Sequence, residues 1–141
     1  MKKNVVFLLV VMCFLLFNTS LFAQEKGAST LGLLQDKEWV MWFPSKKEYT
    51  LTDHFGSNTW LSVFSSKNEN FEIKVTYCLS NSSDISISPS KRKKLKTGKY
   101  IISENKGEIK AYEILKLTPD SLILKNLDNS SILTYFSKDE K

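Results

Sequence analysis

The sequence predicts an all-β protein, an antiparallel meander of about eight to nine short strands that closes into a small barrel after an N-terminal signal helix. Apolar and polar residues alternate with a period of two, most clearly from Phe71 to Leu79, as expected for strands with one buried face. Such segments recur every eight to twelve residues or so, separated by Gly, Asn, Ser, Asp or Pro. No stretch after Leu34 keeps an apolar stripe at helical spacing over three turns, which excludes an α/β arrangement.

The first element is an export signal over residues 1–23. Lys2 and Lys3 precede an unbroken apolar run from Val5 to Phe17, and Ala23 puts a small residue at the cleavage point, the layout of a secretory signal peptide. The run spans only about 20 Å as a helix, less than the roughly 30 Å of hydrocarbon in a bilayer. We expect a periplasmic or secreted protein with no stable membrane span after cleavage; a retained anchor or lipidation at Cys13 is the alternative.

Cleavage changes the charge and the cysteine content. The whole chain of 141 residues carries +5, and loss of Lys2 and Lys3 leaves +3. Five cations lie in the segment 91–96, so the rest of the mature chain is close to neutral, and we expect no nucleic-acid partner. Cys78 remains as the single cysteine, so no intramolecular disulfide can form, and its place in an alternating strand favours burial.

The mature chain divides into a flexible leader over residues 24–33 and a barrel domain over residues 34–141. Leu31, Leu33 and Leu34 form a cluster long enough for one helical turn. Pro119-Asp120 and Asn105-Lys106-Gly107 are turn signals between later strands. The expected strands are Trp39–Phe43, Glu48–Asp53, Thr59–Phe64, Phe71–Leu79, Asp84–Ser88, Lys99–Ser103, Ile109–Thr118, Ser121–Leu127 and Ser131–Ser137.

Three segments carry a resemblance to a known family: Lys37-Glu38-Trp39, residues 98–102 (GKYII) and residues 112–124 (YEILKLTPDSLIL). Together they resemble the short lipocalin-like proteins exported by Bacteroidetes. In lipocalins the first strand carries Gly-x-Trp, whose Trp packs across the closed bottom of the barrel. Trp39 matches that Trp, with Lys37 in place of the Gly. The resemblance implies a binding fold without catalysis, and it leaves the ligand open because such folds host unrelated functions.

Residues suited to catalysis or metal binding are few. His54 is the only imidazole, and zinc or copper sites draw several ligands from His, Cys and carboxylates, so we expect no metal and no cofactor. His54 and Cys78 form a formal nucleophile pair, weighed against a loop histidine and a core thiol. Asp53, Glu72 and Glu113 are candidate acids, weighed against solvated carboxylates on the outer face of strands. We expect no enzymatic activity.

Aromatic residues provide the main functional hypothesis, a small apolar or amphipathic ligand held in the barrel of a monomer. The first expected strand is apolar on both faces, and such a surplus can line a cavity, contact the leader or form a partner surface. The alternative is that one Trp fills the core and the other aromatic residues cap it. The candidate ligand-binding residues are Trp42, Trp60, Phe64, Tyr77, Tyr100 and Tyr112. This hypothesis expects a cavity of at least about 300 Å³ lined by these rings.

The alternative function is a protein-interaction module, an envelope assembly factor or an inhibitor of a secreted enzyme, acting through the loop 80–96. Residues 80–90 are rich in Ser, and the adjacent cations attract phosphates, anionic lipid headgroups or acidic glycans, or simply keep the loop soluble. The cations are Lys91, Arg92, Lys93, Lys94 and Lys96. Separately, Asp120-Ser121-Leu122 matches an O-glycosylation pattern of exported Bacteroidetes proteins and is also an ordinary entry into a strand.

Overall fold

The computed structural model describes residues 29–35, 37–45 and 48–138; the expected signal segment 1–23 lies outside this range. Eight antiparallel strands form a closed barrel in which each strand pairs with the next and the last pairs with the first. The all-β barrel predicted from the sequence is therefore confirmed. Its elements are α1 (Thr30–Leu34), β1 (Trp39–Met41), β2 (Tyr49–Phe55), β3 (Thr59–Ser66), β4 (Asn70–Ser80), a 3₁₀ turn (Pro89–Lys91), β5 (Tyr100–Asn105), β6 (Glu108–Leu117), β7 (Ser121–Asn126) and β8 (Ile132–Ser137).

The connection between β5 and β6 shows how the sequence sets the strand register. Asn105 pairs with Glu108 across a two-residue turn, and both turn residues have positive φ, 50° at Lys106 and 86° at Gly107. This left-handed pair matches the twist of the flanking strands, and glycine adopts it without steric cost. The Asn-Lys-Gly turn signal therefore fixes this hairpin.

The ninth expected strand, Asp84–Ser88, does not form. No strand pairs with this segment: β4 pairs with β3 through residues 70–76 and with β5 through residues 76–80, and the described ladders do not extend to residues 84–88. Local hydrogen bonds replace the ladder: the Asp84 carboxylate accepts from the backbone N–H of Ser86 at 2.8 Å, and the Arg92 guanidinium donates to the Ile87 carbonyl at 2.8 Å. Alternation alone did not distinguish this bent segment from a strand.

One end of the barrel, here called the closed end, is covered by α1. Trp39 is fully buried there, and its indole N–H donates to the Leu34 carbonyl at 2.9 Å. Lys37 lies over the Trp39 ring, with Nζ 5.4 Å from its centroid, and donates to the Pro119 carbonyl at 2.7 Å. Thr30 is buried as well, so α1 belongs to the folded domain, although residues 30–33 were expected in the flexible leader.

The core lies against the closed end. Its buried members come from α1 and from all eight strands except β6, which contributes partly buried side chains. The buried members are Leu34, Trp39, Phe55, Trp60, Tyr77, Leu79, Ile101, Leu122, Leu124 and Tyr135. A smaller buried cluster of Cys78, Ile102 and Ala111 lies on the outer face of β4, β5 and β6. The opposite end of the barrel, bounded by the turns 42–48, 67–69, 106–107 and 127–131, is here called the open end.

Candidate functional site

Inward-facing side chains of β4 become steadily more exposed toward the open end. Leu79 and Tyr77 are each 2% exposed, whereas Ile73 and Phe71 are 40% and 51% exposed. The strand pairing explains this gradient, because β5 pairs only with residues 76–80 of β4 and leaves residues 70–75 paired with β3 alone. The barrel interior is therefore filled near the closed end and accessible to solvent at the open end.

The rim of the open end carries four aromatic rings in contact. Phe64 and Phe71 stack with centroids 4.4 Å apart and planes 7° apart. Tyr49 lies 6.5 Å from Phe64, and Phe43 meets Tyr49 edge-on at 5.4 Å. Stacked and edge-to-face rings of this kind form an apolar surface of defined shape.

Below the rim, the barrel interior contains a group of polar side chains that we call the polar floor: Asp53, Trp60, Ser62, Tyr112 and Tyr135. Asp53 is 1% exposed and Trp60 is 6% exposed. Trp60 meets the half-buried Tyr112 edge-on, with ring centroids 5.1 Å apart. These contacts cross the interior from β3 to β6 and so place the polar floor at the level where the filled core ends.

Burial dominates the chemistry of the Asp53 carboxyl. Loss of hydration raises its pKa, and the nearby Ser62, Tyr135 and Trp60 side chains and the His54 charge only partly oppose the rise. Trp60 approaches this carboxyl, but Asp53 Oδ1 and Trp60 Nε1 do not meet in a hydrogen bond, and neither has a partner among the described residues. A buried acceptor and a buried donor are thus both unsatisfied within the barrel, a costly arrangement in a folded protein.

The tyrosines of the polar floor remain protonated for the same reason. Burial raises the pKa of Tyr112, and it raises the pKa of Tyr135 well above its ordinary value, with the Asp53 charge adding to the rise at Tyr135. Both side chains therefore offer neutral hydroxyl groups, which can donate or accept hydrogen bonds.

The long loop, residues 81–99, folds back over the barrel wall at the closed end. Pro89 is buried, the Ser88 hydroxyl donates to the Glu104 carboxylate on β5, and the Arg92 guanidinium donates to the Asp84 carbonyl within the loop. The carbonyl of Lys96 accepts from the Leu31 N–H of α1 at 2.9 Å. The loop is therefore anchored at several points along its length.

A cavity of about 340 Å³ lies beneath the long loop, next to α1 and the end of β4. Leu31, Leu79 and Leu95 contribute to its wall, and Tyr77 lines it as well. The sequence hypothesis expected a cavity of this size lined by six aromatic side chains in the barrel. Of the six proposed ligand-binding residues, only Tyr77 lines this cavity. The cavity lies under the loop because large side chains fill the adjacent barrel interior.

Four of the six proposed ligand-binding residues face the barrel interior and two do not. Phe64 belongs to the rim, Trp60 and Tyr112 belong to the polar floor, and Tyr77 donates its hydroxyl hydrogen to the Gly56 carbonyl at 2.5 Å. Trp42 is 55% exposed, and Tyr100 packs with the outer cluster that contains Cys78. Both residues lie outside the barrel interior, because alternation along β1 and β5 puts them opposite the buried Trp39 and Ile101.

The candidate nucleophile pair is not assembled. His54 lies in β2 rather than in a loop, in register with Leu61 and, through β3, with Lys74. Cys78 is four residues further along β4, which at standard strand spacings separates the two side chains by roughly 15 Å. Cys78 is buried, as the sequence predicted, and burial raises the pKa of its thiol.

The three candidate acids differ in their surroundings. Glu72 is exposed, and Glu113 forms an ion pair with Lys99 at 3.3 Å. Asp53 contradicts the expectation of an outer-face acid, because it shares its face of β2 with the buried Leu51 and Phe55. The sequence signal for the burial of Asp53 is its spacing in Leu-Thr-Asp-His-Phe, where it alternates with the apolar Leu51 and Phe55 on one face of the strand.

The remaining candidate positions lie on the surface. Ser121 is half-buried at the start of β7, and the loop cations other than Arg92 are exposed. Across the described ranges, no group of three or more His, Cys, Asp or Glu residues is arranged to hold a metal ion. No helix within the described part of the chain is long and apolar enough to cross a bilayer.

No known protein-family model, curated protein or solved structure matches this chain.

Proposed function

We propose that this protein is an exported, non-catalytic binding protein that holds a small apolar or amphipathic ligand in the open end of its lipocalin-like barrel. The observation that carries the proposal is the exposure of inward-facing apolar side chains, Ile73 at 40% and Phe71 at 51%. Such side chains normally bury against something in a folded protein, and a ligand seated in the mouth would cover them.

The polar floor supports the amphipathic part of the proposal. Asp53 Oδ1 can accept a hydrogen bond and Trp60 Nε1 can donate one, and neither atom has a hydrogen-bond partner among the described residues. A ligand with an apolar body and one hydroxyl or amide group would contact the aromatic rim with its body. Its polar group would reach these two atoms, which are shielded from solvent in the free protein, once the side chains above them move apart. Binding sites commonly combine an apolar wall with a few such polar groups.

The test uses N-phenyl-1-naphthylamine, a neutral apolar probe with one N–H donor, followed by its own fluorescence and by quenching of the tryptophans. Covering the exposed half of the Phe71 ring is worth about 1 kcal/mol from the usual value for a buried aromatic side chain. We therefore expect Phe71→Ala to weaken binding about fivefold.

Phe136→Ala is the matched control. Phe136 is 50% exposed, like Phe71, but it lies on the outer face of β8 beside the buried, inward-facing Tyr135. This substitution removes the same ring without touching the mouth and should leave the affinity unchanged. Equal losses in the two variants, or no saturable binding to the wild-type protein, would refute the proposal.

A further inference from the structure

We propose that the cavity beneath the long loop is a second binding site, specific for a single-chain amphiphile with an anionic headgroup. The cavity lies at the closed end and shares no lining residue with the polar floor or the aromatic rim. The proposal for this cavity therefore does not depend on the ligand proposed for the barrel mouth, and the experiments below can refute one proposal without the other.

The wall of the cavity fits a hydrocarbon chain. Leu31 of α1, Leu79 of β4 and Leu95 of the loop meet there, together with Pro89 and the Cys78 thiol. Its volume of about 340 Å³ is near the lower end of the roughly 300–1,000 Å³ typical of small-molecule sites. A narrow apolar space of this size favours one acyl chain over a bulky polycyclic molecule.

The rim of the cavity is positively charged. Arg92, Lys94 and Lys96 line it, and none of the acidic residues that the structure describes does so. Arg92 is occupied by loop carbonyls, whereas Lys94 and Lys96 are exposed and take part in no ion pair between described residues. Two available ammonium groups at the mouth of an apolar cavity match a carboxylate or phosphate headgroup whose tail is buried.

The first experiment is titration calorimetry of the full chain with dodecanoate, octanoate, dodecyltrimethylammonium and inorganic phosphate, each below its micellar concentration where one exists. Each buried methylene should strengthen binding about fourfold until the cavity is full, so dodecanoate should bind more tightly than octanoate. Phosphate alone lacks the tail, and the cationic amphiphile is repelled by the rim, so both should bind weakly. Equal affinity for the anionic and cationic amphiphiles would overturn the proposal.

The second experiment compares two double variants that remove the same charge from the same loop. Lys94→Gln with Lys96→Gln should weaken dodecanoate binding about fivefold, the effect of losing two exposed charge contacts. Lys91→Gln with Lys93→Gln should change it less than twofold, because these lysines do not line the cavity. Equal losses in the two variants would indicate general attraction to a basic loop and would refute a site in the cavity.

Cys78 reports occupancy directly. In a Cys13→Ser background it is the only thiol, so dodecanoate should slow its reaction with a disulfide reagent in proportion to saturation. Phe71→Ala, which alters the open end, should leave this protection unchanged. If Phe71→Ala abolishes the protection of Cys78, or if saturating dodecanoate does not protect Cys78, the amphiphile binds elsewhere and the proposal is refuted.

Discussion

Replacing Asp53 with Asn is expected to stabilise the protein at neutral pH. The carboxyl is 1% exposed, and one of its oxygens has no hydrogen-bond partner among the described residues. Asn keeps the shape of the side chain and removes the charge that burial disfavours. It also replaces one acceptor oxygen by an NH2 group, which can occupy the position of the unpartnered Oδ1 while the amide oxygen keeps the other acceptor position. The substitution therefore tests mainly the electrostatic cost of holding a carboxylate inside the barrel.

The sign of the pH dependence follows from the raised pKa. Above the unfolded-state value of about 3.8, the unfolded chain has released its proton while the folded protein still holds it. The free energy of unfolding therefore falls as pH rises, by at most about 1.4 kcal/mol per pH unit, until the folded carboxyl also ionises. Below pH 3.8 both states are protonated and the penalty disappears.

The size of the effect follows from the environment of Asp53. An unsatisfied buried acceptor costs about 1–3 kcal/mol, and a charged one costs more, but Ser62 and Tyr135 offset part of this cost. We expect Asp53→Asn to gain about 1–2 kcal/mol at pH 8 and close to nothing at pH 4.

Urea unfolding from pH 4 to pH 8, followed by tryptophan fluorescence, measures this difference. Glu72→Gln is the control, because it removes one negative charge from an exposed position on β4 and should shift stability by less than about 0.5 kcal/mol at every pH. The reasoning is refuted if Asp53→Asn is less stable than wild type at pH 8, or if its stability difference from wild type does not change with pH.

Three further substitutions test the closed end and one hairpin. Tyr77→Phe removes a buried hydroxyl that donates to the Gly56 carbonyl at 2.5 Å and should cost about 1–2 kcal/mol in urea unfolding; an unchanged midpoint would contradict this role. Gly98→Ala would place a Cβ 2.8 Å from the carbonyl oxygen of Ser80 and 2.9 Å from the backbone nitrogen of Ser80. This overlap should lower the free energy of unfolding by about 1–3 kcal/mol. A Cβ added at Gly107 would meet no atom within 4 Å, but the residue has a φ of +86°. Gly107→Ala should therefore lower the free energy of unfolding by about 1–2 kcal/mol through backbone strain alone. For both glycine variants, thermal unfolding checks the loss, and wild-type stability would count against the stated cause.

The strands were predictable because their pattern is local. Eight of the nine alternating segments became strands within a few residues of the expected bounds, and the Asn105–Gly107 signal became a two-residue hairpin. Pleating puts successive side chains on opposite faces, so period two can be read without knowing the neighbours. The Asp84–Ser88 segment is not a strand because its backbone and side chains make local hydrogen bonds instead of pairing with a neighbouring strand, and alternation does not distinguish the two outcomes.

The candidate site was less predictable, because burial of polar and aromatic residues depends on the far side of the barrel. The charge of Asp53 favours the surface, yet Trp60 and Tyr135 from other strands enclose it. The aromatic rings of Trp42 and Tyr100 favour the interior, yet both lie on outer faces. Residue chemistry suggested the right kind of side chain and could not give the direction in which it pointed.

The residue pattern was enough to predict the alternating strands, their turns, a meander that closes into a barrel, the burial of Cys78 and the gathering of five cations in one segment. Only the folded structure reveals that α1 covers one end and that the basic segment folds over an apolar cavity at that end. Alternation and turn geometry act between residues close together in the chain, whereas enclosure of Asp53 and formation of the cavity require contacts between elements far apart in sequence.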